Sequence, residues 1–214
     1  MIIGIDGNEA NIPQRVGVNQ VAFKLIQHLS QLDTQHKFVV YLKDRPLPDL
    51  PEPSENFTYK VFGPQRAWVL TGLTWNLWFK KPRPDIFFSP SHYIPLFSPV
   101  PQVFSIMDLS YEKFGEKYFK AKDLHQLRRW TRASAKRAKL ITTISQTTKK
   151  DIQEYYQVPS EKIKVIYPGY NQDLYHRRVP LTKQKQVREK YGIKGKYLLY
   201  LGTLQPRKNI SRLI

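Results

Sequence analysis

The sequence predicts an α/β fold, a parallel sheet with helices on both faces, and three observations carry that prediction. Short apolar runs alternate with amphipathic segments, the pattern of strand–helix–strand units. The runs stop at turn residues, as at Asp6-Gly7-Asn8 and at Pro168-Gly169. The 214 residues are 41% hydrophobic and 13% aromatic, enough to bury a full core.

The elements follow in order. Ile2 to Ile5 reads as a buried strand, and a loop with Pro13 and Gly17 follows it. Val18, Val21, Ala22, Leu25, Ile26, Leu29 and Leu32 then recur at helical spacing. Strands are expected at Lys37 to Leu42 and Phe57 to Phe62, separated by a Pro-rich loop. Gln65 to Lys81 reads as a helix carrying Trp68, Trp75 and Trp78, ended by Pro82 and Pro84. Asp85 to Phe88 and Gln102 to Ile106 are strands, and Glu116 to Lys139 is a long basic helix. Leu140 to Ile144 is a strand, Thr147 to Tyr156 a helix, and Lys162 to Ile166 a further strand. Asn171 to Arg188 is polar and without clear period, as a crossover between domains would be. Tyr197 to Gly202 reads as a new buried strand, and Asn209 to Ile214 as the opening of a helix. The expected organisation is a first domain over 1–170, a linker over 171–195, and the start of a second domain over 196–214.

Charge is the unusual bulk property. Thirty-five Lys and Arg against 17 Asp and Glu give +18, with an isoelectric point near 10.0. That favours anionic partners (phosphates, nucleic acid or an acidic lipid surface) without choosing among them. The absence of cysteine excludes disulfides, thiolate zinc sites and thiol nucleophiles, and fits a reducing compartment. Met1 to Asp6 reads as a strand rather than a secretory signal, and no apolar run of about 18 residues occurs. The expected location is cytoplasmic.

In open α/β sheets, ligands bind beyond the carboxyl ends of the strands, which selects four loops. Gly17, ahead of a helix, either admits a ligand to backbone N–H groups or is a simple turn glycine, and no G-x-G-x-x-G fingerprint surrounds it. His92, after the strand at Asp85 to Phe88, is a hydrogen-bonding or proton-transfer candidate, or else a surface residue. Asp108 is placed to accept a proton, or to cap the following turn. Arg207 and Lys208 form an anion site if Asn209 caps a helix beside them, and are otherwise solvated cations. No metal-ligand cluster is visible, so none is expected.

Together these stretches resemble the GT-B glycosyltransferases of the retaining group 1 family, known as family 4. Tyr197 to Ile214 resembles the opening of that family's donor domain, and Tyr191-Gly192-Ile193 its lead-in. Gly17-Val18 resembles its first glycine loop, and Ile106 to Ser110 its "HDLS" strand end. Ile141 to Asp151 resembles its "S-x-x-S-x-x-D" helix entry, and Tyr167 to Asn171 its "P-x-G-x-D" interdomain turn. Met107 stands where the family often has histidine, Asn171 replaces a frequent aspartate, and Thr203 stands where some members place arginine.

The resemblance implies a Rossmann-like first domain on the acceptor side of a nucleotide-sugar-dependent enzyme. It assigns Gly17, Arg207 and Lys208 to the donor phosphates, and His92 to the transferred sugar. The co-substrate is a GDP- or UDP-linked sugar, with no separate cofactor, and the acceptor is a glycan, a lipid-linked molecule or a small molecule. The family's E-x7-E motif would fall beyond Ile214, so this polypeptide alone is expected to be a fragment without useful transferase activity. The basic stretch with Lys117, Lys120, Lys122, Arg128, Arg129, Arg132, Lys136 and Arg137 suits either a solvated face or peripheral contact with anionic membrane. Trp68, Trp75 and Trp78 suit the core, or else a widening of that contact. Two other functions compete: a non-catalytic sugar- or lipid-binding subunit, and a basic nucleic-acid-binding module. For the second, no helix-turn-helix, zinc or RNP-type signature is present, and no nucleic-acid partner is expected.

Overall fold

β1 (Ile2–Asp6) forms because its apolar run finds a parallel partner on each side. Ile3 lies opposite Phe38 of β2 (Lys37–Leu42) on one side and Ile86 of β4 (Ile86–Ser89) on the other. The computed structural model describes residues 1–63, 67–115, 121–175, 179–202, 204 and 206–214. β3 (Phe57–Val61), β5 (Gln102–Ile106), β6 (Leu140–Thr143) and β7 (Ile163–Val165) complete a sheet of order β3-β2-β1-β4-β5-β6-β7, and every pairing is parallel. This is the Rossmann-like α/β sheet expected from the sequence.

Strand alternation sends neighbouring residues of β2 to opposite faces. Phe38, Val40 and Leu42 pack with Ala22, Phe23 and Ile26 of α1 (Val18–Ser30), while Val39 and Tyr41 pack with Trp68, Leu73 and Leu77. Both faces of the sheet are therefore covered, as its parallel strands require. A further core joins Phe104, Ile106, Ile141 and Ile163 to Leu124 and Ala135 of α4 (Ala121–Arg137) and Ile152 of α5 (Gln146–Tyr156).

The helix expected over Gln65 to Lys81 is shorter and irregular. A π-helical turn at Val69–Leu73 precedes α2 (Thr74–Phe79), and Gln65 lies outside the described residues. Thr71 Oγ1 donates to Ala67 O at 3.1 Å and Thr74 Oγ1 to Leu70 O at 2.9 Å. Hydroxyls bonded back to the preceding turn compete for the carbonyls of a regular helix. Of the three tryptophans here, Trp68 is core, and its Nε1 donates to Phe62 O at 2.8 Å. Trp75 and Trp78 are exposed. α3 (Ser110–Phe114) precedes α4, while Lys117 and Lys120 of the basic stretch lie outside the described residues.

Residues Met1–Pro168 form one compact unit and Gly169–Ile214 another. In the second unit α6 (Leu181–Lys190) is a helix within the segment expected to be irregular. It buries no residue, so the periodic apolar stripe that betrays most helices is absent. Residues 197–202 form no strand among the described residues, and Leu198, Leu199 and Leu201 are 87%, 77% and 89% exposed. An apolar run becomes a strand only where partners satisfy its backbone. The helix expected from Asn209 is also replaced. Pro206–Lys208 and Ile210–Arg212 are single 3-10 turns, and Asn209 sits at φ 52° without a side-chain cap.

Candidate active site

The strand order reverses between β1 and β4, so the first crossovers leave these two strands in opposite directions and open a crevice at their carboxyl ends. Four loops of the first unit define its rim.

The β1 loop is locked in place. A Cβ on Gly7 would lie 2.4 Å from Val40 Cγ1, so only glycine permits this approach to β2. Asn8 Oδ1 accepts from Lys43 N at 2.9 Å, and Asn11 Oδ1 from Leu47 N at 2.8 Å. Arg15 donates to Ala10 O at 2.6 Å, pairs with Asp49, and stacks over Phe23 at 3.9 Å. These bonds fix the approach to Gly17, which occupies the N-cap of α1 at φ 51°. No residue of the first turn of α1 is itself acidic, although the Glu9 carboxylate reaches that turn by accepting from Asn19.

Asp6 closes β1 and is buried. Burial pushes its carboxyl up to about 6, although Asn8 donates to it through N at 3.1 Å and Nδ2 at 2.7 Å. Glu9 nearby adds to the rise, and Glu9 itself accepts from Asn19 of α1. Tyr93 of the β4 loop is pushed up by burial and by the charges of Glu9 and Asp6, so the two loops meet here. Asp6, Glu9 and Tyr93 were not singled out from the sequence. The only signal there was a carboxylate at a strand end followed by Gly-Asn.

The β4 loop folds back on itself. Ser89 Oγ donates to Tyr93 O at 3.3 Å, and Ile94 N donates to Ser134 Oγ of α4 at 3.2 Å. This places His92 edge-on to Tyr111, ring centres 6.1 Å apart. Burial lowers the imidazole's proton affinity and the charge of Asp108 partly restores it, so the ring is neutral at pH 7. Its Nδ1 is buried with no hydrogen-bond partner among the described residues. His92 and Asp108 are thus brought into the same electrostatic neighbourhood from adjacent strands, β4 and β5.

Asp108 is exposed, and its Oδ1 accepts from Ser110 N at 2.9 Å, a turn-capping bond of the kind that competes with a proton-accepting role. Behind it the fourth loop supplies a brace. Ser145 Oγ accepts from Thr148 N at 3.0 Å, Thr148 Oγ1 donates to Met107 O at 3.2 Å, and Lys113 pairs with Asp151 at 2.8 Å. The Ser-x-x-Thr-x-x-Asp spacing therefore ties the start of α5 to the end of β5.

Of the remaining candidates, Lys208 is exposed in the turn Pro206–Lys208 of the second unit, and the side chain of Arg207 lies outside the described residues. Asn171 Oδ1 accepts from Asp173 N and Leu174 N, each at 3.0 Å, so asparagine closes this turn in place of the frequent aspartate. Among the described residues no group of three or more His, Cys, Asp or Glu side chains is placed to hold a metal ion. No helix among them is long and apolar enough to cross a membrane.

A parallel sheet in this order, with its crevice between β1 and β4, defines the N-terminal, Rossmann-like half of a GT-B fold. The chain belongs to Glycosyltransferase Family 4, whose family model matches residues 16–174. Solved structures agree on the fold. Anabaena HepE in complex with UDP matches with a TM-score of 0.56 at 15% identity, over 89% of this chain and 50% of that one. HepE in complex with UDP-glucose matches equally, over 49% of its length. A glycosyltransferase from Rickettsia africae matches with a TM-score of 0.51 at 14% identity, over 91% of this chain and 50% of that one. The chain thus spans about half the length of the solved structures it matches. A search of proteins with curated function finds no significant match.

Proposed function

We propose that the chain is the acceptor-side half of a glycosyltransferase that moves a hexosyl group from a UDP- or GDP-linked sugar to a glycan or lipid-linked acceptor. The observation that carries this reading is the family match over residues 16–174, which includes the glycine loop, His92 and Asp108. The relatives crystallised with UDP and UDP-glucose support a nucleotide sugar as co-substrate. In this reading the enzyme works in the cytoplasm, at the inner face of the membrane.

His92 contacts the transferred sugar. A buried ring nitrogen without a partner among the described residues is the kind of deficit that a bound hydroxyl makes good. Asp108 takes the acceptor's proton from its exposed position at the end of β5, and Gly17 brings the N-terminus of α1 to the donor phosphates. With no helix capped by Asn209 beside them, Arg207 and Lys208 are given the departing diphosphate charge on the family resemblance alone. In family 4 terms the configuration at the transferred sugar is retained. The solved relatives carry a further half beyond the part this chain matches, and with the remaining donor contacts assigned to such a half, the 214-residue polypeptide alone has no useful turnover.

The test follows the reading frame beyond codon 214 and assays the complete protein with UDP- and GDP-sugars for release of nucleoside diphosphate. His92→Ala should depress kcat by about a hundredfold or more while nucleotide affinity changes less than about threefold. Lys208→Ala should weaken nucleotide binding and slow turnover together. A complete protein that binds neither UDP nor GDP would end this reading, as would ordinary turnover by the 214-residue chain.

A further inference from the structure

Three crossovers enter the sheet side by side at the edge opposite the crevice. Lys80 to Asp85 lead into β4, Phe97 to Pro101 into β5, and Ala138 and Lys139 into β6, and these strands are neighbours in the sheet. At this edge large aromatic side chains are exposed, although the core would readily take them. Trp75, Trp78, Phe79 and Phe97 are 60%, 45%, 63% and 68% exposed. They form a patch rather than scattered residues. Trp75 and Phe79 pack ring to ring at 4.2 Å, and Trp78 Nε1 donates to Phe97 O at 2.9 Å. Arg137 of α4 lies over the Phe97 ring at 5.3 Å, joining the patch to the basic helix.

Cations surround these rings. Residues 74–100 and 121–139 hold ten Lys and Arg against only Asp85 and Asp123. Of these ten, Lys80, Lys81, Arg83, Lys136, Arg137 and Lys139 are exposed close to the sheet edge in sequence. Arg129, Arg132, Lys136 and Lys139 extend the charge along one stripe of α4 and beyond its end, at the three- and four-residue spacing that shares a helix face. Exposed aromatics amid cations are the pairing that an anionic bilayer surface selects, with rings at the headgroup boundary and cations on lipid phosphates.

We propose that this edge is a docking surface for an anionic lipid bilayer, entered by Trp75, Trp78, Phe79 and Phe97 and held by the surrounding lysines and arginines. A nucleic acid fits less well, because the Trp75 and Phe79 rings are spent on each other rather than splayed as stacking platforms. The placement deepens the lipid-linked-acceptor reading, on which one consequence rests. The crevice lies at the far ends of the strands, so a lipid-borne acceptor must hold its accepting hydroxyl at least roughly 15 Å above the headgroups. An extended lipid-linked oligosaccharide meets that requirement and a bare lipid headgroup does not.

The experiment sediments the 214-residue chain with vesicles of phosphatidylcholine alone or with 30% phosphatidylglycerol, at about 0.1 M salt. Anionic vesicles should bind at least about tenfold better than neutral ones, at roughly fivefold per engaged cation. The Trp75→Ser/Phe79→Ser variant should lose about tenfold or more with its urea midpoint unchanged, since both rings are already exposed. Lys136→Glu/Lys139→Glu should lose at least as much. Lys150→Glu/Lys164→Glu, the same charge change elsewhere on the first unit, should lose less than about threefold. Equal binding to both vesicle types, wild-type binding by the aromatic variant, or an equal loss from the control pair would each overturn the proposal. So would displacement of the vesicles by a random oligonucleotide with the aromatic variant still bound, which marks a general polyanion site. Vesicle binding is read without any sugar transfer, so a complete protein that transfers sugar but ignores vesicles fails only here. One that binds vesicles but no nucleotide fails only in the transferase reading.

Discussion

Two apolar runs in this chain have opposite fates. Ile2 to Asp6 and Tyr197 to Gly202 are similar in length and apolar content, and each ends in a turn residue. The first is an interior strand of the sheet, with Ile5 fully buried. The second forms no strand among the described residues, and its leucines are among the most exposed apolar side chains described in the chain. The difference is not propensity but company. β1 has Lys37–Leu42 and Ile86–Ser89 to take its backbone bonds, and helices on both faces to take its side chains. The comparison teaches that hydrophobic burial in an α/β sheet belongs to a set of strands, and no single run owns it.

The largest expected effect is in amide exchange. Amides of β1 and β5 should exchange roughly a thousandfold more slowly than those of residues 197–202, because the first open only with the core and the second are already open. Comparable protection of 197–202 would break the contrast outright. Next come truncations. Phe104→Ala, fully buried in the first unit, should cost about 3–5 kcal/mol by urea denaturation. Leu199→Ala should cost under about 0.5 kcal/mol, and a larger loss would show that the second unit packs where its exposure says it does not.

The third prediction concerns pH. Asp6 is raised above its unfolded value of 3.8 to about 6, so between these values the folded state holds more protons than the unfolded. Its contribution to stability is therefore greatest below about pH 4, falls as pH rises through 6, and is flat above. A rise of that size corresponds to about 3 kcal/mol at most. Asp6→Asn should gain stability on wild type by up to about that amount between pH 4 and pH 7. Parallel pH profiles would show that Asp6 carries no such burden. The smallest effect is steric. Gly7→Ala, whose Cβ would strike Val40 and Leu42, should cost about 1–3 kcal/mol. Gly195→Ala, which meets nothing within 4 Å, should fall within about 0.5 kcal/mol of wild type.

Legibility followed the same divide. β2 and β5 sit where their apolar runs place them, because each run is flanked by turn residues, and β2 alternates into two cores while β5 sends Phe104 and Ile106 into one. α6 was hidden, since a helix that buries nothing leaves no apolar period to read. His92 and Asp108 could be nominated by their places after strands, because the parallel fold puts strand ends on one rim. Asp6, Glu9 and Tyr93 could not, because their coupling depends on two loops separated by about eighty residues meeting over the sheet.

The sequence by itself determined the class of fold, the order of elements in the first unit and its place in the glycosyltransferase family. These rest on local periodicity and on turn residues, which act over a few positions. Only the tertiary structure decided which apolar runs become strands, which tryptophans stay in water, and which carboxylate is pushed up to about 6. Burial and electric field are set by neighbours distant in the chain. No window of sequence contains them.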